Sequence, residues 1–334
     1  MQPKVSIIMP VLNGQRYIVE ALESILAQTY KNYELVAVDD GSTDRTREIL
    51  FQFQDRMEIR YVRHEVCKGI SVSVNDGIRN ATGEYITFLD HDDVWFPRFL
   101  ETQAAHLDAH PLVGMIHCDF QTIDPQGKII EESVALCRNR KRPSGEVFRQ
   151  LFMDSFIAAT SAMIRKECFD RLGGFDESLY WGDYHMWLRI ARHYRIDYVP
   201  EVLSKYRQHP NQSTRTLDVE QPDQDSVAMI AIKKFLESHP DVRQELGEKT
   251  IRRRMAMLYF DMAYAWLWKG ARKNARACLR KAIRLWPTRS AYYVSYAMSM
   301  LPERQAKVLR RWWRQLRQMF STSGYRSEQF EARN

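Results

Sequence analysis

Apolar positions in the first ninety residues fall into short unbroken runs, separated by polar stretches with helical spacing. Residues 5–11, 34–40, 57–62 and 85–89 read as strands; a strand buried on both faces shows a continuous apolar run rather than alternation. Between them Tyr17, Ile18, Ala21, Leu22, Ile25 and Leu26 recur at helical spacing. A second helix carries Ile49 and Leu50, and a third covers about 71–80. This alternation predicts an α/β fold with crossover connections and a mostly parallel sheet flanked by helices. Two of the strands stop at carboxylates, Asp39-Asp40 and Asp90-His-Asp-Asp93. Parallel order then places both acidic turns at one sheet edge, where open α/β sheets collect ligands.

Further on, the pattern predicts a helix over 98–110 and a hairpin of 114–123 with 128–132 around Asp124-Pro-Gln-Gly127. A basic loop spans 137–144 and a strand 158–164. A helix over 166–172 is stopped by Gly173-Gly174. Asp183 opens another helix, with Met186, Trp187 and Ile190 as its buried stripe, and a strand follows at 197–202. Residues 210–226, rich in Asn, Gln, Ser, Thr, Pro and Asp, read as a linker. The chain beyond is helical. Residues 263–287 carry the small and aromatic positions of one tetratricopeptide-type helix pair, a unit that cannot bury its apolar face alone. The expected domains are a catalytic one over 1–221 and an all-helical region over 222–334.

Charge sharpens that division. The net charge of +7 is split: residues 222–334 hold 23 Lys/Arg against 10 Asp/Glu, a net of +13, leaving −6 for residues 1–221. The rear part is suited to an anionic partner. No recognition fold for nucleic acid accompanies it. Cys67, Cys118, Cys137, Cys168 and Cys278 are scattered, without CxxC or zinc spacing, as expected of reduced cytoplasmic thiols. No run is long and apolar enough to cross a bilayer, and no secretory signal is visible ahead of the first strand, so none is expected.

The turn Asp90, Asp92, Asp93 is the densest candidate chemistry. Carboxylates packed at a strand end repel one another unless a cation or a donor-rich ligand sits among them. Hard ions such as Mg²⁺ or Mn²⁺ take one or two carboxylates and complete their shell with phosphate oxygens. The competing reading is a solvated turn in which Asp93 caps the next helix.

Five segments occur together in order: Val5-Ser-Ile-Ile-Met-Pro-Val-Leu-Asn-Gly14, Val38-Asp-Asp-Gly-Ser-Thr-Asp44, Gly83-Glu-Tyr-Ile-Thr-Phe-Leu-Asp-His-Asp-Asp93, Gly173-Gly-Phe-Asp176 and Gly182-Asp-Tyr-His-Met-Trp-Leu-Arg189. Over residues 4 to about 210 the chain resembles family 2 glycosyltransferases with the A-type nucleotide-sugar fold. The resemblance implies that Pro10, Leu12 and Asn13 line the nucleotide base, with Leu12 where many relatives have tyrosine. Asp40 would accept a hydrogen bond from the base, which favours a UDP- or dTDP-sugar. Asp90 and Asp92 would contact the ribose and diphosphate. The metal, Mg²⁺ or Mn²⁺, would be met by Asp92, Asp93 and His209. Asp183 would be the general base, with Gly182 where many relatives have glutamate; the rival reading of Asp183 is a helix cap. The activity implied is inverting, metal-dependent sugar transfer to a glycan or lipid-linked acceptor, in cell-surface polysaccharide or envelope glycan synthesis. Trp181 is a candidate platform for the acceptor.

In residues 305–320, Val308, Leu309, Trp312, Trp313, Leu316, Met319 and Phe320 share one helical face flanked by Arg310, Arg311, Arg314 and Arg317. This predicts peripheral contact with the inner face of the cytoplasmic membrane, against the alternative of packing on the helical region. Rival functions are a nucleotidyltransferase, which lacks its glycine-rich phosphate loop here, and a non-catalytic helical adaptor. A dinucleotide dehydrogenase is set aside because GxGxxG is absent.

Overall fold

A computed structural model of the chain describes residues 4–137, 142–180, 182–212 and 225–301. Its contacts divide the chain into two compact units, Met1–Leu151 with Phe156–Arg215, and Phe152–Ser155 with Thr216–Asn334.

The first unit is built on a nine-stranded sheet. Strands β1 (Val5–Val11), β2 (Tyr33–Asp39), β3 (Ile59–Arg63) and β4 (Tyr85–Phe88) are joined through helices α1 (Ile18–Leu26), α2 (Thr46–Phe53) and α3 (Ile70–Asn80). They pair in parallel in the order β3-β2-β1-β4, with Val11 beside Asp39 and Ile8 beside Phe88. All seven residues of β1 are buried, which is why its sequence shows no alternation. The third strand begins two residues later than its apolar run, because Met57 packs into the core as part of the turn after α2.

Beyond β4 the sheet turns mixed. Strand β5 (Val94–Trp95) and helix α4 (Phe99–Ala109) lead into β6 (Val113–Ile123), which forms the expected hairpin with β7 (Ile129–Glu131). Short helices α5 (Val134–Cys137) and α6 (Phe148–Met153) follow, and then β8 (Ala162–Arg165), antiparallel to both β4 and β6. The first residues of the run expected as a strand at 158–164 form a 3-10 turn instead, Ala159–Ser161. Helix α7 (Lys166–Leu172) ends at Gly173 as expected, and α8 (Asp183–His193) opens at Asp183. Strand β9 (Arg195–Arg207) runs parallel to β6 and antiparallel to β5. The main core lies between α1, α4 and the sheet, with Ile7, Met9, Leu22, Leu35, Phe99 and Leu107 fully buried.

The second unit is helical: α9 (Val227–Ser238), α10 (Asp241–Leu246), α11 (Glu248–Trp268), α12 (Arg272–Leu285) and α13 (Ser290–Met298). Helices α11 and α12 form a hairpin through Gly270. Helix α12 buries Ala275, Cys278, Leu279 and Ala282 and turns Lys273, Arg280 and Arg284 outward. No helix among the described residues is long and apolar enough to cross a membrane. The sequence expectations for Trp181 and for residues 305–320 lie outside the described residues.

Candidate active site

Three strand ends build one side of the site. The loops after β1 and β2 interlock: the Asn13 amide donates to Ser42 Oγ (2.9 Å), and Asn13 Oδ1 accepts from the Thr43 amide (2.9 Å). Asn13 holds this crossing at a positive φ of 53°, which asparagine tolerates better than most residues. Pro10 is buried in β1, while Leu12 is 39% exposed beside this loop. Asp39 braces the turn by accepting from the Ser42 amide (2.8 Å) and Tyr61 Oη (2.6 Å).

Asp40 is clasped by the loop after β3. Oδ1 lies 2.7 Å from His64 Nδ1 and accepts from the Lys68 amide (2.8 Å), while Oδ2 accepts from Cys67 Sγ (3.2 Å) and the Gly69 amide (2.9 Å). Burial works against its charge, yet these four donors hold the carboxyl below its ordinary range. A carboxylate offers about four lone-pair positions. A base N–H reaching Asp40 must therefore displace one of these partners. His64 Nε2 in turn lies 2.8 Å from Asp76 Oδ2 on α3.

The acidic turn after β4 is the opposite case. Asp90 is pushed up to about 7, first by burial and then by the charges of Asp92 and Asp183. Burial also opposes ionisation of Asp92, but the His209 hydrogen bond (2.8 Å) and the neighbouring His91 keep its carboxyl low. Asp93 is raised by burial and by its two acidic neighbours. Its Oδ1 accepts from the Arg207 amide (2.9 Å), and its Oδ2 is sealed from solvent. Arg207, 1% exposed, backs the turn: Nε donates to the Asp92 carbonyl (2.8 Å) and Nη2 to Glu20 (2.5 Å), with the guanidinium over the Tyr17 ring.

Asp183 reaches this turn through packing. Phe88, the last residue of β4, meets Phe175 (ring centroids 5.7 Å) and Trp187 (6.2 Å), and Phe175 meets Trp187 (5.9 Å). These rings seat α8 against the strand that ends at the acidic turn. Asp183 is the first residue of α8, where the helix dipole favours a negative charge. Its own effect on Asp90 shows that the two carboxylates share one environment.

Among the described residues no three His, Cys, Asp or Glu side chains form a ready-made metal cage. The donors that are present suit a hard divalent ion that brings phosphate and water oxygens with it. The charge conflict raising Asp90 is what such an ion relieves.

Of the sequence candidates, the structure gathers Asp90, Asp92, Asp93, Asp183 and His209 around the acidic turn and puts Pro10, Leu12, Asn13 and Asp40 on the loops of β1 and β2. Trp95, beside the acidic turn, is committed to the core: it stacks on Phe99 at 4.0 Å, and its Nε1 donates to the Thr160 carbonyl. His64, Asn75 and the buried role of Arg207 were missed. His64 sits just past the end of β3, so the rule that ligand groups gather at strand ends marks it out.

Residues 6–173 match the sequence model of "Glycosyl transferase family 2". An uncharacterized glycosyltransferase of Rickettsia prowazekii is 37% identical over 219 residues, spanning 64% of this chain and 67% of that protein. Another, from Rickettsia felis, is 34% identical over 238 residues, which make up 71% of this chain but only 38% of that protein. Among solved structures, Staphylococcus aureus TarS 1–349 in complex with UDP-GlcNAc is similar with a TM-score of 0.55 at 18% identity, covering 90% of this chain and 92% of that one. The mannosyltransferase PcManGT of Pyrobaculum calidifontis in complex with GDP-Man and Mn²⁺ is similar with a TM-score of 0.55 at 20% identity, covering 95% and 81%. These structural likenesses establish the A-type fold. The family match and the relatives establish descent: the chain belongs to glycosyltransferase family 2.

Proposed function

We propose that the chain is an inverting glycosyltransferase that takes a sugar from a nucleoside diphosphate donor in the cleft between Asp40 and Asp183. The observation that carries this reading is that the charge of Asp183, at the start of α8, adds to burial and to Asp92 in raising Asp90 after β4, so that carboxylates from distant segments act on one another. Pro10, Leu12 and Asn13 line the base, and Asp40 fixes the Cys67–Gly69 loop against it. Asp90 faces the ribose and diphosphate. Asp92, oriented by His209, leads the donor set for Mg²⁺ or Mn²⁺, and Asp93 sets the backbone of the turn. Bound there, a divalent ion supplies charge neutralisation for the departing diphosphate.

The acceptor hydroxyl attacks the anomeric carbon as the bond from that carbon to the diphosphate oxygen breaks. The hydroxyl proton passes to Asp183, and the nucleoside diphosphate leaves with the bonding electrons. Attack from the face opposite the leaving group inverts the centre. A positioned base of this kind contributes about 10²–10⁴-fold to the rate.

UDP- and dTDP-sugars are the first donors to screen. The TarS and PcManGT structures add UDP-GlcNAc and GDP-mannose as probes. The acceptor class is a glycan or lipid-linked hydroxyl, with residues 305–320 carrying peripheral attachment to an anionic membrane. A thermal-shift series with UDP-GlcNAc, GDP-mannose and dTDP-glucose, each with and without Mn²⁺, tests the reading. One donor should raise Tm more with Mn²⁺ than without, because binding only to the folded state stabilises it. No shift with any donor contradicts the assignment.

A further inference from the structure

Helix α3 joins the loop that holds Asp40 to the segment that precedes Asp183. Near its start the Gly69 amide is held by Asp40, and on its outer turn Asp76 meets His64. Its other face grips the segment that delivers Asp183. Asn75, 6% exposed, binds the backbone of that segment in both directions: Oδ1 accepts from the Phe175 amide (2.7 Å) and Nδ2 donates to the Phe175 carbonyl (2.9 Å). The same Nδ2 also donates to Glu177 Oε1 (2.9 Å). One turn earlier, Ser71 Oγ donates to the Leu179 carbonyl (2.6 Å). From the far side Arg189 of α8 donates to the Gly174 carbonyl (2.7 Å).

The glycines of the segment fit this grip. A Cβ on Gly174 would stand 2.3 Å from Asn75 Oδ1, closer than any side chain tolerates. A Cβ on Gly182 would press on Phe175 Cδ1 (3.0 Å) and Ser71 Oγ (3.1 Å). Glycine before Asp183, where the family resemblance leads one to expect glutamate, thus lets the segment lie flush on α3.

We infer that Asn75, assisted by Ser71, is a positioning residue for sugar transfer: by clamping residues 174–179 to α3 it sets where Asp183 meets the attacking hydroxyl. The inference rests on Asp183 as the base. Asn75 touches neither donor nor acceptor. Its effect is geometric, and a misplacement of about 1 Å costs on the order of 10²-fold in rate.

The test is donor hydrolysis, with water as the acceptor, read as nucleoside diphosphate release from UDP-GlcNAc or GDP-mannose with Mn²⁺. Full-length wild type is compared with Asn75→Ala, Gly174→Ala, the double variant and Asp183→Asn. Asn75→Ala should lower kcat at least ~30-fold with donor KM within ~3-fold. Gly174→Ala, at an exposed position, should lower kcat ~10-fold by pushing the segment off Asn75. The double variant should be no slower than Asn75→Ala alone, because the clash is gone once the amide is removed. Amide exchange at Phe175 should quicken in Asn75→Ala while the β1–β2 ladder stays protected.

A kcat within threefold of wild type in either single variant, beside an inactive Asp183→Asn, overturns the positioning role and leaves the base in place. Additive losses in the double variant, or exchange that quickens in β1 and β2 as well, reduce Asn75 to a general structural role and also overturn it. Wild-type hydrolysis in Asp183→Asn is the separate result that removes the base itself.

Discussion

The turns after β2 and β4 meet the same problem, a carboxylate at a strand end drawn largely out of water, in opposite ways. At Asp40 the protein supplies every partner: a histidine, a thiol and two backbone amides fill both oxygens, and the group stays charged despite burial. At Asp90 burial is compounded by further carboxylates instead, and the charged form is disfavoured up to about pH 7. A saturated end keeps its shape without a ligand. A frustrated end holds in reserve a binding energy that only an incoming cation or donor-rich ligand releases. The division matches the proposed chemistry, with a preformed loop for a neutral base and an electrostatically unsatisfied turn for a cation and diphosphate.

The comparison breaks most visibly in turnover. Asp92→Ala removes the carboxylate oriented by His209 and should lower donor turnover about 10²–10³-fold, read as nucleoside diphosphate release. If this variant keeps more than a tenth of wild-type activity, the acidic turn is not where the diphosphate sits.

Stability gives the next contrast, with opposite signs at the two ends. Asp40→Asn sets an NH₂ group against donors that now meet an acceptor, and should cost about 2–4 kcal/mol in urea unfolding. Asp90→Asn removes a repelled charge and in EDTA should be neutral or stabilising by about 1 kcal/mol. Equal destabilisation by both would erase the distinction.

A pH series sharpens it further. Asp90 has a folded value near 7, above the ordinary carboxylate value of 3.8, so between those limits the folded chain binds a proton that the unfolded chain has lost. Its contribution is present at low pH and is lost as pH rises through 7, at up to about 1.4 kcal/mol per unit. Asp40 is depressed, so its contribution is present above 3.8 and is lost only as pH falls below that. In EDTA, wild type should therefore lose stability relative to Asp90→Asn between pH 4 and 7, and Mn²⁺ with nucleotide should cancel the difference. The smallest effect is expected at the base. Leu12→Tyr offers a ring to a half-exposed position and should tighten nucleoside diphosphate binding about threefold by calorimetry.

Most of this architecture was legible where the signal is local. Unbroken apolar runs marked β1, β2 and β4, and the carboxylates ending β2 and β4 marked the ligand edge. Lys166–Leu172 and its glycine stop were readable to the residue. What depended on distant partners was not. The reversed direction of β8, antiparallel to both β4 and β6, leaves no trace in its own four residues. His64, Asn75 and Arg207 escaped for the same reason. Each is defined by bonds to residues between 12 and 187 positions away, and periodicity reports which face a residue occupies, not what it meets there.

The central claim is that Asp183 works on the donor held at Asp90 and Asp92. Its most direct test is the rate of nucleoside diphosphate release by wild type and Asp183→Asn with saturating donor and Mn²⁺, alongside donor affinity in both. The account predicts that Asp183→Asn binds donor within about threefold of wild type and turns it over at least about 10²-fold more slowly. Equal turnover at equal affinity would contradict it.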